Sequence, residues 1–196
     1  MISEPVFVVS LVAEVLRDLG IPYVVGGSLA SSVYGIPRAT LDADIVAEIR
    51  PDQAWSVARG LGEGFYADEE MILSAIRGRD SFNVIHLETM FKVDVFIPPR
   101  EEWFRLEMER GREEIIGSEG DDVRLRFASP EDVLLHKLLW YRMGDTTSDR
   151  QWGDAMGVLK VQAGALDREY LDKWSRRLGV EDLLRQAYEE AGDINS

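Results

Sequence analysis

An apolar run, Val24-Val25, ends in Gly26-Gly27-Ser28 and is followed by Arg38-Ala39-Thr40-Leu41-Asp42-Ala43-Asp44-Ile45-Val46. This coupling of a glycine turn to two aspartates two residues apart constrains the chain more than any other feature. If the second run is a strand, successive side chains alternate faces. Asp42 and Asp44 then project from one face, with Val46 beyond them, while Leu41, Ala43 and Ile45 project from the other and can join a core. Two carboxylates held side by side repel each other, and a divalent cation is the common remedy.

A third carboxylate fits the same pattern. Phe91-Lys92-Val93-Asp94-Val95-Phe96-Ile97 alternates: Val93, Val95 and Ile97 share one face, and Lys92, Asp94 and Phe96 the other. An unpaired carboxylate in such a run is costly or becomes protonated. Two resolutions are open. Asp94 shares a metal with Asp42 and Asp44, or it pairs with Lys92 or an arginine or points to solvent.

Gly26-Gly27-Ser28 falls at an expected strand-to-helix junction. Glycines let backbone approach a ligand, and free N–H groups at a helix start favour anions; the plain alternative is a tight turn with Ser28 as helix cap. Arg38 suits bidentate phosphate binding and Thr40 suits support of a metal shell. Their alternatives are a surface ion pair and an ordinary β-branched strand residue. His86 and His136, the two histidines, lie in an apolar strand and an amphipathic helix and read as structural.

The chain of 196 residues has no cysteine, which excludes disulfides, thiolate zinc sites and cysteine nucleophiles. Met1-Ile2-Ser3-Glu4-Pro5 carries no positive charge beyond the N-terminus, and the apolar stretch from Val6 is broken by Glu14 and Arg17. No export signal or membrane anchor is expected, and a cytoplasmic location is the default. The formal net charge of −14 opposes non-specific binding to nucleic acid. A local basic patch from Arg100, Arg105, Arg110, Arg112, Arg124 and Arg126 would be needed; interleaved Glu101, Glu102, Glu107 and Glu109 offer these arginines ordinary partners instead.

Periodicity and punctuation predict helices over about residues 3–19, 28–34, 51–60, 68–77 and 103–110, with strands over 23–26, 41–48, 81–88, 91–97 and 123–128. After Ala128 the pattern becomes wholly helical. Ser129 caps, Pro130 takes the first turn, and helices follow over 130–143, 149–162, 167–178 and 180–191. The fold class expected is α+β, a mixed β-sheet with flanking helices over residues 1–128 and a C-terminal helical cap over 129–196.

These motifs resemble those of the nucleotidyltransferase superfamily, the fold of polymerase beta and the minimal nucleotidyltransferases. That family carries an apolar residue, Gly, Gly or Ser, a spacer, then Asp-x-Asp or Asp-x-Glu, and a third carboxylate on a later strand. Val25-Gly26-Gly27-Ser28, Asp42-Ala43-Asp44 and Asp94 fill the three parts. The wording from Arg38 to Asp44 is similar to the branch that includes AbiE-type toxins, and Lys137, Arg142 and Asp154 are similar to that branch's later helical motif.

The resemblance implies a metal-dependent enzyme that moves a nucleoside monophosphate from an NTP to an acceptor hydroxyl on a tRNA, protein or small molecule. Asp42, Asp44 and Asp94 would hold Mg²⁺ or Mn²⁺ and carry catalysis. Gly26, Gly27, Ser28, Arg38, Thr40 and Lys137 would bind the nucleotide. A toxin or defence role and a cognate antitoxin partner are implied by the branch. Two rivals stand beside it. One is a catalytically silent nucleotide-sensing or partner-binding protein on the same fold. The other is a hydrolase elbow at Ser28, which needs a late histidine on a loop; His136 falls instead inside a well-capped helix.

Overall fold

The computed structural model describes residues 3–118 and 121–192. The outermost residues of the two expected domains, 1–2 and 193–196, lie outside the described residues. By internal contacts the chain divides into two compact units. One runs through Leu29 and resumes from Thr40 to Ala128; the other comprises Ala30–Ala39 and the chain from Ser129 onward.

The first unit opens with helix α1 (Glu4–Asp18), strand β1 (Tyr23–Val25) and the start of α2 (Gly27–Tyr34), inside which the division falls. It continues with β2 (Asp42–Ala47), α3 (Ala54–Leu61), β3 (Phe65–Tyr66), α4 (Glu69–Gly78), β4 (Ser81–His86) and β5 (Lys92–Phe96), then α5 (Glu102–Arg110), β6 (Arg112–Ser118) and β7 (Asp121–Phe127). The strands form one seven-stranded sheet in the order β3-β4-β5-β2-β1-β7-β6. Its β2/β5 and β1/β7 pairs are parallel and the rest antiparallel, so the sheet is mixed and the fold class is α+β.

Strand alternation builds the core. Ala43, Ile45, Phe82, Val84, Val93 and Val95 are all buried, as expected for one face of pleated strands. In α1, Val8, Val9, Val12 and Leu16 form the buried stripe that helical spacing demands. Ser3 sits at the cap position of α1, but its side chain makes no capping bond.

The second unit contains α6 (Pro130–Met143), α7 (Asp149–Val161), α8 (Arg168–Leu178) and α9 (Glu181–Ala191). Ser129, Ser148 and Asp167 each accept a hydrogen bond from a first-turn backbone N–H, at Asp132, Gln151 and Tyr170, satisfying donors that a helix start leaves open. The segment 30–39 lies directly on α7: a Cβ at Gly35 would stand 2.7 Å from the Val158 nitrogen. Only glycine permits that approach.

Most elements fall within two residues of their expected bounds. The helix expected from Pro51 begins instead as a 3-10 turn, Pro51–Gln53, before α3. Strands β3 and β6 were not expected. β3 has two residues, too few to show a period. In β6, Glu113, Ile115 and Gly117 are all exposed and Ile115-Ile116 are adjacent, so the apolar–polar alternation of a half-buried strand is absent.

Candidate functional site

The parallel register of β2 and β5 brings the three carboxylates together. Asp44 is the direct partner of Asp94, and Asp42 is the partner of Lys92. Partners across a sheet share a face, and so do residues two apart on one strand. Asp42, Asp44, Lys92 and Asp94 therefore occupy one patch, all half-buried, above the fully buried Ala43, Ile45, Val93 and Val95. Thr40 orients the first aspartate: its hydroxyl donates to the Asp42 backbone oxygen at 2.8 Å and lies 3.2 Å from Asp42 Oδ1.

Lys92 supplies the positive charge within this patch. Its Nζ lies 2.7 Å from Asp94 Oδ2, with side-chain exposures of 39% and 16%. The hydrogen bond to Asp94 raises the Lys92 pKa above its ordinary value; partial burial opposes this, and the fields of Asp94, Asp42 and Asp44 add to it. Of the two resolutions left open by the sequence, the structure contains the Lys92 pair. Among the described residues no three His, Asp or Glu side chains converge into a preformed metal cage.

Two observations nonetheless fit a divalent ion. Asp94 Oδ1 is buried without a hydrogen-bond partner, a costly state for a carboxylate oxygen. Three carboxylates are also the hard oxygen donors that Mg²⁺ or Mn²⁺ takes. The donor set suits such an ion.

The glycine turn is fused to the carboxylates. The Gly26 backbone N–H donates to the Asp44 carbonyl at 2.9 Å. Gly27 follows with φ +55°, and a Cβ there would lie 1.6 Å from Asp44 Oδ2. Its bare Cα is what lets the first turn of α2 sit against the Asp44 side chain. Gly27 and Ser28 are half-buried at that helix start, where backbone N–H groups and the helix dipole favour an anion.

Asn83 was not singled out from the sequence. It is the β4 partner of Asp94, so it extends the row Asp44–Asp94 across the same face, and it is exposed. The available signal was the alternation of Ser81-Phe82-Asn83-Val84, with Phe82 and Val84 buried.

In the second unit, Arg38 and Lys137 meet on one carboxylate. Arg38 donates from Nε and Nη2 to Asp154 at 2.7 and 2.8 Å, and Lys137 Nζ lies 2.8 Å from Asp154 Oδ2. Burial alone would raise the Asp154 pKa, but the hydrogen bonds from Arg38 and Lys137 outweigh it and hold the carboxyl below its ordinary range. Arg142 pairs instead with Asp182 of α9 at the surface.

The suggested arginine patch is partly engaged. Arg105 pairs with Glu109 one helical turn away, and Arg126 donates to the backbone oxygens of Met108 and Glu109. A cavity of about 430 Å³ lined by Arg50, Arg79, Arg100 and Arg105 also includes Glu48 and Pro98, just past the C-terminal ends of β2 and β5. Asp42 and Lys92 begin those strands, so the cavity is at the opposite end from the carboxylates. His86 is buried, packs on Phe7 and Phe65, and meets the Thr89 hydroxyl through Nδ1 at 3.0 Å.

No protein-family model and no curated protein matches the chain. Among solved structures it is similar to the antibiotic-resistance factor ANT(2'')-Ia, at 13% identity over 96% of this chain and 95% of that one, with a TM-score of 0.47. It is similar to an antigenic nucleotidyltransferase-like protein from Paracoccidioides brasiliensis, at 16% identity over 94% and 90%, TM-score 0.47. A Helicobacter pylori protein described as a candidate nucleotidyltransferase is 16% identical over 100% and 86%, TM-score 0.48. At this distance the likeness assigns no function. Among the described residues no helix is long and apolar enough to cross a membrane.

Proposed function

We propose that the chain is a metal-dependent nucleotidyltransferase that moves a nucleoside monophosphate from an NTP to an acceptor hydroxyl. The observation that carries this reading is the register pairing of Asp44 with Asp94, with Asp42 two residues earlier on the same face and the Gly26-Gly27-Ser28 turn against Asp44. Asp42, Asp44 and Asp94 would hold Mg²⁺ or Mn²⁺ in a two-metal arrangement. When bound, such ions would neutralise phosphate charge and make the acceptor hydroxyl more acidic.

The chain's own groups have the remaining roles. The Gly26 N–H is taken up by the Asp44 carbonyl, so the turn at Gly26, Gly27 and Ser28 would cradle phosphate through the backbone that follows Gly26, and the Ser28 hydroxyl would assist. Thr40 keeps Asp42 oriented. Arg38 and Lys137, both held against Asp154, would offer cationic groups suited to phosphate. Asp94 takes the proton of the acceptor hydroxyl as the acceptor oxygen bonds to the α-phosphorus, the α–β phosphoanhydride bond breaks and pyrophosphate leaves. Positioning and charge neutralisation supply most of the rate. The −14 surface suits a protein or small-molecule acceptor at least as well as a tRNA. A toxin or defence role with a cognate antitoxin rests on the sequence resemblance alone.

The test is thermal melting with each of the four NTPs plus Mg²⁺ or Mn²⁺, on wild type and Asp44→Asn. A ligand at about a hundred times its Kd stabilises by roughly 2.7 kcal/mol, which is about 5–11 °C in a chain of this size. A metal-dependent shift with one NTP that disappears in the variant supports the reading; no shift with any NTP refutes it. One observation favours a second reading, nucleotide sensing without transfer: Asp94 is already neutralised by Lys92. An α-labelled NTP that binds but leaves no label on protein, RNA or small-molecule acceptors would select the sensor.

A further inference from the structure

Lys92 has no place in the roles set out above, yet its ammonium pairs with one of the three carboxylates and its strand position faces a second. It contacts Asp94 Oδ2 at 2.7 Å and starts β5 opposite Asp42 in register. The other Asp94 oxygen, Oδ1, is buried and has no hydrogen-bond partner. Asp94 is thus neutralised through one oxygen and unsatisfied at the other.

An ammonium and a divalent ion solve the same electrostatic problem differently. A lysine offers a single charge and directional donors on a flexible four-carbon stem. Ca²⁺- and Mg²⁺-like ions draw several oxygens to about 2.0–2.6 Å. Lys92 therefore steadies the carboxylates without collecting them into a cage, in keeping with the lack of a preformed one among the described residues. Its side chain is 39% exposed, so the head group can leave Asp94 without unpacking the core.

We infer that Lys92 is a placeholder cation: it competes with the divalent ion for Asp94, and it leaves that carboxylate for the phosphates of an incoming nucleotide, so that polyphosphate binding and metal loading reinforce each other. This deepens the proposed transferase reading and rests on it. The coupling is reciprocal by linkage. A nucleotide that draws Lys92 away raises metal affinity beyond direct chelation, and a protein without the lysine cation binds metal without that requirement.

Mn²⁺ alone is the first probe, with binding followed by electron paramagnetic resonance on wild type, Lys92→Met, Lys92→Arg and Asp94→Asn. Lys92→Met keeps the stem and removes the charge. It is expected to bind Mn²⁺ at least tenfold more tightly than wild type, whereas Lys92→Arg does not and Asp94→Asn binds more weakly. Equal or weaker binding by a folded Lys92→Met protein, with wild type still binding through Asp94, overturns the placeholder and leaves the transferase reading standing. Mn²⁺ affinity that no substitution changes removes the carboxylates as a metal site and defeats both. A measurement on wild type guards against misfolding of the variant. The ¹⁵Nζ resonance of Lys92 should lose its ion-pair signature on Mg²⁺ addition, and persistence of that signature at saturating Mg²⁺ contradicts the inference.

Discussion

Gly27→Ala tests whether the glycine turn and the carboxylates form one site. The backbone there has φ +55°, and the new methyl group would lie 1.6 Å from Asp44 Oδ2, 2.6 Å from its Cγ and 2.9 Å from its Cβ. The left-handed conformation alone costs a residue with a Cβ about 1–2 kcal/mol. A separation of 1.6 Å is unsustainable, so Asp44 must also rotate, at roughly 0.5–1.5 kcal/mol if it is forced away from a staggered rotamer. The sum, about 1.5–3.5 kcal/mol, lowers the melting temperature by about 3–14 °C. Asp44→Ala removes the two nearest atoms and leaves Cβ, so Gly27→Ala in that background should cost nearer the strain alone. The melting temperatures of wild type, both single variants and the double variant give the coupling, expected at about 1 kcal/mol. The metal-dependent NTP shift should also disappear in Gly27→Ala, because Asp44 is displaced. Equal costs in the two backgrounds, or a Gly27→Ala protein with wild-type stability and an intact NTP shift, would refute the reasoning.

Two further outcomes concern the second unit. Asp154→Asn takes the Asp154 carboxylate away from Lys137, whose side chain is 3% exposed; breaking a buried pair costs about 3–5 kcal/mol, and melting should show it losing more stability than Lys137→Met, which removes the buried charge itself. Because Asp154 has a depressed pKa in the folded state, its contribution is complete above the ordinary carboxylate value of about 3.9 and fades as pH falls through the lower folded value. Acid titration of wild type should lose that increment and Asp154→Asn should not; superimposable acid limbs contradict the linkage. Ser129→Ala removes the cap on Asp132 N and the 2.6 Å bond from its hydroxyl to Asp132 Oδ2 inside a buried site. It should cost about 1–3 kcal/mol, read as a lower melting temperature, and an unchanged melt rules the cap out as a stabiliser.

What the sequence disclosed and what it withheld follow from the range of each interaction. Strand alternation around Asp42, Asp44 and Asp94, the turn at Gly27 and the cap at Ser129 depend on neighbours a few residues apart, so their signals are local. The pairing of Asp44 with Asp94 requires β2 and β5 to lie parallel and in register, which neither strand encodes alone. Arg38 and Asp154 are separated by 116 positions, and nothing near either residue marks the other as its partner. Asn83 joins the carboxylate row only through the pairing of β4 with β5. The Asp94 question shows the limit most clearly. Its position in an apolar strand left a metal, a basic partner such as Lys92 or an arginine, or exposure to solvent as the ways to accommodate its charge. The structure has the lysine on one oxygen and leaves the other bare. Neutralising Asp94 and filling its coordination are thus separate requirements, and Lys92 meets only the first. Under the proposed reading, that distinction makes the lysine pair and the metal successive states of one site: the lysine would belong to the site before nucleotide arrives, and the metal to the loaded one.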